Sequence, residues 1–299
     1  MYNKQKRVVR TAKVNCLFES IPLLEGISAE NKKGDSIQNR LKSNQVLFIG
    51  HGHPMNALFD NHFTRTLHQL GRNMERPQAI MVVSAHWLTR GSFVSVNPKP
   101  QTIHDFGPFD DRLFQMRYDA PGHPALAREA IEYGRSFGLL EDQDMGLDHG
   151  AWTVLHHLYP AADIPVFQLS IDYGRSADHH FELAASLRKL RDRGVLILAS
   201  GNIVHNLRIL NWEDIDAPAM DWSHAFDEIV KSRLDTGDFR PLVDYHQFGT
   251  LAKLAIPTPD HYFPMIYAIG LANPSDQVRH IFEGFQYGSV SMRCFMITP

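Results

Sequence analysis

At 299 residues the chain is long enough to bury a large core, and one α/β domain accounts for it as well as two would. A formal net charge of -3, with no basic stripe beyond the N-terminus, leaves no footprint for nucleic acid and points to small molecules as partners. Two cysteines, Cys16 and Cys294, exclude a disulfide scaffold and a cysteine-rich zinc site and fit a reducing, cytoplasmic setting, whereas seventeen histidines shift the expected metal ligand to imidazole.

The apolar stretches are strand-sized, far short of the roughly 20 residues that span a bilayer, so no membrane association is expected. Residues 1–44 differ from the rest. Lys4, Lys6, Arg7, Arg10 and Lys13 precede the first acidic residue, Glu19, and the segment from Glu30 to Gln45 is polar. They read as an extension, partly disordered or loosely packed, rather than a targeting peptide, because an apolar face is missing. The organised domain is expected over 45–299.

From Val46 onward short apolar runs alternate with helical patterns. Val46–Gly50 reads as a buried strand, Asn56–Leu70 as a helix closed by Gly71, and Ala79–Ala85 as a second buried strand. A strand near Ser92–Val96, a helix over Pro124–Phe137, a strand over Ile164–Ile171 and a helix over His180–Arg193 follow. Val195 then opens another strand, and Ser223–Leu234 is helical. Thr258 reads as an N-cap and Pro259 as the first residue of a helix running toward Gly270, broken or kinked at Pro264. This βαβ grammar predicts a mostly parallel central sheet flanked by helices, with ligands bound beyond the carboxyl ends of its strands.

Three histidines fall at or just past those ends: His51, His86 and His205. A lone histidine after a strand is more often a hydrogen-bonded loop residue than a ligand, so context must decide. Glycines bracket His51 in Gly50-His51-Gly52-His53-Pro54, permitting close backbone approach. His86 interrupts an apolar strand, where burial without a partner costs on the order of 1–3 kcal/mol. A metal shared by imidazoles would offset that cost. Asp260 and His261 fall in the first turn of the last helix, and spacing leaves open which of them completes the set.

Six motifs now carry a resemblance. They are Phe48-Ile49-Gly50-His51-Gly52 with Pro54-Met55-Asn56, Val82-Val83-Ser84-Ala85-His86-Trp87, Thr102-Ile103-His104-Asp105-Phe106-Gly107, Asp148-His149-Gly150, Ala199-Ser200-Gly201-Asn202 with Val204-His205-Asn206-Leu207, and Thr258-Pro259 with His261-Tyr262. In this order they resemble the 4,5-DOPA extradiol dioxygenase family, a group of class III extradiol ring-cleavage dioxygenases. The likeness runs from about Val46 to Gly288–Met292 and leaves the N-terminal extension uncovered.

The resemblance implies that His51, His86 and His261 bind one divalent metal ion, with His205 beside them as base or fourth ligand. It implies Zn2+ as in bacterial relatives, or Fe2+ for ring cleavage, with a catechol and O2 as substrates. His149 is expected to hydrogen-bond a reaction intermediate, and His104, Trp87 and Tyr262 to border the substrate. Two positions depart from the family pattern. His53 replaces a usual serine and, on an extended segment, would point the same way as His51; Ala151 replaces a small hydroxyl residue. Two other classes are weighed against the dioxygenase: a zinc hydrolase using the same histidines with Asp260 as base, and a binding protein that keeps the fold without activity.

Overall fold

The structure is a computed structural model that describes residues 44–299, so the expected 1–44 extension lies outside the described residues apart from Asn44. Its strands are β1 (Val46–Gly50), β2 (Ala79–Thr89), β3 (Phe93–Ser95), β4 (Leu140–Asp142), β5 (Val166–Asp172), β6 (Val195–Gly201), β7 (Gln277–Phe282), β8 (Phe285–Gln286), β9 (Val290–Ser291) and β10 (Cys294–Thr298). Its helices are α1 (His62–Asn73), α2 (Asp111–Gln115), α3 (Pro124–Tyr133), α4 (His149–Leu158), α5 (Ala177–Ser186), α6 (Lys189–Asp192), α7 (Asp221–Thr236), α8 (Arg240–Val243), α9 (Gly249–Ala255) and α10 (Phe263–Gly270). Among the described residues no helix is long and apolar enough to cross a membrane.

Eight strands form one sheet in the order β4-β3-β5-β2-β6-β1-β10-β7. The centre is parallel, since β5 pairs with β2, β2 with β6 and β6 with β1 in the same direction. Antiparallel strands β10 and β7 extend the far edge. The central strands are buried on both faces because successive side chains feed two different cores. Val46 and Phe48 pack with Met81, Val83 and Ile197 on one side; Leu47 and Ile49 pack with Ile80, Val82 and Leu198 on the other. α5 and α10 cover the first face, α1 and α4 the second. This is the α/β architecture expected, with the carboxyl ends of β1, β2 and β6 at one edge.

Several helix boundaries differ from the sequence reading. The segment after β1 is not one helix: Pro54–Ala57 forms a short 3-10 turn, and α1 starts only at His62 behind a reciprocal Asn61–Thr64 capping box. Gly71 does not end α1. It sits inside the helix where α4 crosses closely, and a Cβ there would lie 1.9 Å from the Leu158 carbonyl oxygen. Gly71→Ala is therefore expected to destabilise the fold by about 1–3 kcal/mol, read as a lower urea midpoint, because the two helices must separate. The helix predicted over His180–Arg193 is split into α5 and α6. Pro264 opens α10 rather than breaking it, and Thr258–His261 form the turn ahead of it.

Two buried histidines outside the candidate site give the fold an acid limit. His157 Nε2 lies 2.8 Å from the Asn56 carbonyl oxygen and His180 Nδ1 lies 2.9 Å from the Tyr267 hydroxyl, and burial lowers each pKa to about 4. An unfolded histidine titrates near 6.5. Below that pH the unfolded chain takes up protons the native state refuses, so stability is level above about pH 7 and falls as pH drops toward 4. Urea midpoints measured from pH 7.5 to 5 should decline, and His180→Gln should flatten part of the slope.

Candidate metal centre

The carboxyl ends of the parallel strands deliver the histidines together. His51 follows the last residue of β1, and its backbone N–H donates to the Gly201 carbonyl at the end of β6 (3.1 Å). His86 lies in the far half of β2, where pairing with β5 jumps from Val83–Leu169 to Leu88–Ile171. Pairing with β6 stops at Ser84–Ser200. Residues 85–87 thus leave the ladder, and such a bulge re-aims side chains. His261 comes from the turn before α10, its carbonyl oxygen accepting from the Asn202 N–H at 2.8 Å.

One nitrogen from each of His51, His86 and His261 lies within 4.8 Å of the other two. The hydrogen bonds behind them fix which nitrogen is free. Ser200 donates its only hydroxyl proton to the Gly150 carbonyl (2.5 Å), so at 2.9 Å its oxygen accepts from His51 Nδ1, leaving Nε2 of that ring as a bare lone pair. His261 Nδ1 likewise donates to the Asp260 carboxylate and leaves its own Nε2 free. His51 Nε2 and His86 Nε2 face each other at 3.2 Å. Two ligands of one ion with metal–nitrogen bonds near 2.1 Å stand about 3 Å apart, so the donor set fits a divalent ion.

Electrostatics agree with ligation. Burial, reinforced by the neighbouring imidazoles, lowers the His51 and His261 pKa values well below the usual histidine range, and burial beside His149 lowers that of His86 to about 3. The rings are therefore neutral at physiological pH, the form that binds metal.

His205 and His149 flank this group. The His205 ring stacks on His261, centroids 3.5 Å apart and planes at 7°, but His205 is not one of the three nitrogens that converge. Its pKa is lowered to about 4, chiefly by burial. His149 is the first residue of α4, behind the N-cap Asp148, and its ring centroid is 3.8 Å from that of His86. Asp105 Oδ1 accepts the His149 backbone N–H at 2.8 Å and lies 3.1 Å from its Nδ1. Asp105 thus positions His149, a role the sequence reading missed.

These rings form the floor of a cavity of about 200 Å³. Its upper wall is aromatic and aliphatic, built from Phe106, Phe109, Leu207, Leu210, Trp212 and Tyr287. Three residues expected to border the substrate do not line it. Tyr262 turns away from its neighbour His261 into the helical layer, where its hydroxyl donates to the Leu242 carbonyl at 2.9 Å. Trp87 is buried beside the bulge of β2. His104 sits behind Phe106, against Phe114 and Trp152, with Nε2 3.1 Å from the Met116 carbonyl oxygen. Phe106, two residues on, takes the place at the wall.

His53 lies toward the mouth. The segment from His51 is not extended, because Gly52 adopts φ +62°, and the His53 ring turns against Phe109 and accepts the Met55 N–H. Asp260 does not supply a free base, since its carboxylate is engaged by His261.

With the geometry in place, comparison with known proteins is specific. A family model described as the catalytic LigB subunit of aromatic ring-opening dioxygenase matches residues 42–294, and the chain belongs to that family. A 4,5-DOPA dioxygenase extradiol of Escherichia coli (strain K12) is 46% identical over 253 residues, 83% of this chain and 92% of that protein. One from Beta vulgaris is 36% identical over 261 residues, 85% of this chain and 96% of that protein. The crystal structure of an uncharacterized Escherichia coli K12 protein superposes with a TM-score of 0.74 at 41% identity, covering 85% of this chain and 99% of the other. The activity class is accordingly that of a metal-dependent extradiol ring-cleavage dioxygenase, an oxidoreductase, and the zinc hydrolase is not favoured.

Proposed function

We propose that residues 45–299 form a catalytic domain that opens a catechol such as DOPA between carbons 4 and 5, giving a semialdehyde. The observation that carries this reading is the convergence of three neutral imidazole nitrogens beneath a cavity with an aromatic wall. His51, His86 and His261 would hold the ion, Fe2+ for ring cleavage, with Zn2+ as a redox-silent occupant. When bound, Fe2+ supplies the accessible oxidation states through which triplet dioxygen reacts with a singlet catechol, which Zn2+ lacks.

The protein's own groups do the rest. Phe106 closes one side of the cavity edge-on to His149, centroids 5.6 Å apart, so a flat ring entering here is guided toward the histidines and shielded from water. His205, neutral and outside the converging three, takes the proton of a catechol hydroxyl; the negative charge left on the substrate favours the imidazolium so formed. His149, whose backbone N–H Asp105 accepts, presents its ring to the oxygen-bearing edge of the substrate. Both atoms of O2 enter the product as one ring bond breaks, so no outside reductant is required.

Loading with Fe2+ without oxygen, followed by DOPA and then O2, tests the reading. One O2 consumed per catechol and a yellow ring-opened product are expected. His205→Ala should lower kcat by roughly 10²–10⁴ while the variant still binds catechol. Full turnover in that variant removes His205 from the proton transfer, and no oxygen uptake with several catechols overturns the function.

A further inference from the structure

We propose that His53 reads the far end of the substrate, its Nε2–H donating to a carboxylate carried on a short chain from the catechol ring. The inference rests on the catechol reading above and assigns the residue that recognises the ring's substituent.

The His53 ring is braced on several sides. Gln286 Oε1 accepts the His53 backbone N–H at 3.0 Å, and Gln286 is itself held by Asn56, whose Oδ1 accepts from Gln286 Nε2 at 2.8 Å. His53 Nδ1 accepts the Met55 N–H at 3.1 Å, which puts the single ring proton on Nε2. Phe109 packs edge-on against the ring with centroids 4.3 Å apart, and Tyr287 flanks it at 5.7 Å. Gly52 secures the arrangement, since a Cβ there would fall 2.4 Å from both Gln286 Oε1 and the Met292 sulfur. The ring lines the cavity, and among the described residues no group pairs with its Nε2. A donor already fixed in place loses little freedom when a ligand arrives.

Position and charge fit a carboxylate. Two residues separate His53 from His51, so their Cα atoms stand at most about 7 Å apart. A catechol whose oxygens meet the histidine floor therefore extends a short substituent within reach of the His53 ring. Among the described residues no Lys or Arg lines the cavity, so no fixed cation competes for an incoming anion. Arg112, in the loop of Phe109, is taken up by Asp110 at 2.7–3.1 Å. A carboxylate drawn in among Phe109, Leu207 and Trp212 would lose hydration without return unless a donor met it. A hydrogen bond to a charged acceptor is roughly twice as strong as a neutral one, which suits the Nε2–H to that task.

The test is anaerobic calorimetric titration of the Fe2+-loaded protein with 3-(3,4-dihydroxyphenyl)propanoate and with its primary amide, which has the same length and no charge, then admission of oxygen to both mixtures. The acid is expected to bind about tenfold tighter or more. His53→Phe, which keeps a ring against Phe109 but has no N–H, should cut that ratio about fivefold or more. A ratio near one in the unaltered protein overturns the proposal, as does failure of both ligands to bind. So does a preference that survives His53→Phe, because the charge of the metal ion or another donor would then account for it. A second measurement needs no variant in the binding step: in Zn2+-loaded protein carrying 15N-histidine, the acid and not the amide should shift the His53 Nε2 resonance. Equal shifts with the two ligands, or none with either, also defeat the assignment. Selective binding of the acid with no oxygen uptake defeats the ring-cleavage reading and leaves the role of His53 standing.

Discussion

Alanine at position 261 is expected to remove ring cleavage and metal retention together. Of the three converging rings, His261 is the most firmly aimed: Asp260 engages its Nδ1, its backbone carbonyl accepts from Asn202, and its face stacks on His205. Removing the ring leaves two nitrogens, which cannot enclose an ion on three sides, and costs several kcal/mol of metal binding. A loss of about a thousandfold or more in kcat/KM is expected, with metal content falling in parallel by elemental analysis. The fold should persist, because the hydrophobic layers on either side of the sheet do not include His261. An His261→Ala protein that keeps its metal and its rate would show that the converging nitrogens are not the metal centre.

The largest stability effect is expected from Asp227→Ala. Arg293 is 1% exposed and Asp227 3%. The carboxylate accepts from the guanidinium Nε at 3.1 and 3.0 Å through its two oxygens, and from the Ser291 hydroxyl at 2.6 Å. Breaking such a pair from one side strands a buried charge, at about 3–5 kcal/mol. Glu283 remains 3.1 Å from Arg293 and softens the loss without replacing the bidentate contact. The damage should reach the site, since the Arg293 carbonyl accepts the Gly50 N–H next to His51 (3.1 Å). A fall in urea midpoint accompanied by weaker metal retention is the expected result, and a change under about 1 kcal/mol would refute this account of the pair.

How much of this was legible beforehand depended on the kind of signal. The buried strands announced themselves through apolar runs, and parallel strands put their carboxyl ends at one edge, so His51 and His86 could be placed near a ligand from order alone. The break in the β2 ladder at residues 85–87 could not be read, because pairing register is a property of two strands and the run looks continuous in one. His261 and Asp260 stayed unresolved until the turn before α10 showed one ring directed inward and the carboxylate behind it. Gly71 carried the composition of a helix end, yet its small size serves the crossing of α4. The wall of the cavity was misassigned for a related reason. Trp87 and Tyr262 neighbour site histidines in sequence, but adjacent residues on a strand or turn face opposite ways. Phe109 and Trp212 come from loops whose approach to the site has no periodic signature.

The hydroxyl of Ser200 joins three distant stretches of chain, tying the ring after β1 to the opening turn of α4 from a position inside β6. Chemistry is thereby anchored in the central sheet, while recognition falls to the loops around the mouth. Descendants of such a scaffold are free to diversify at the rim, trading one guest for another, without disturbing the apparatus that activates oxygen.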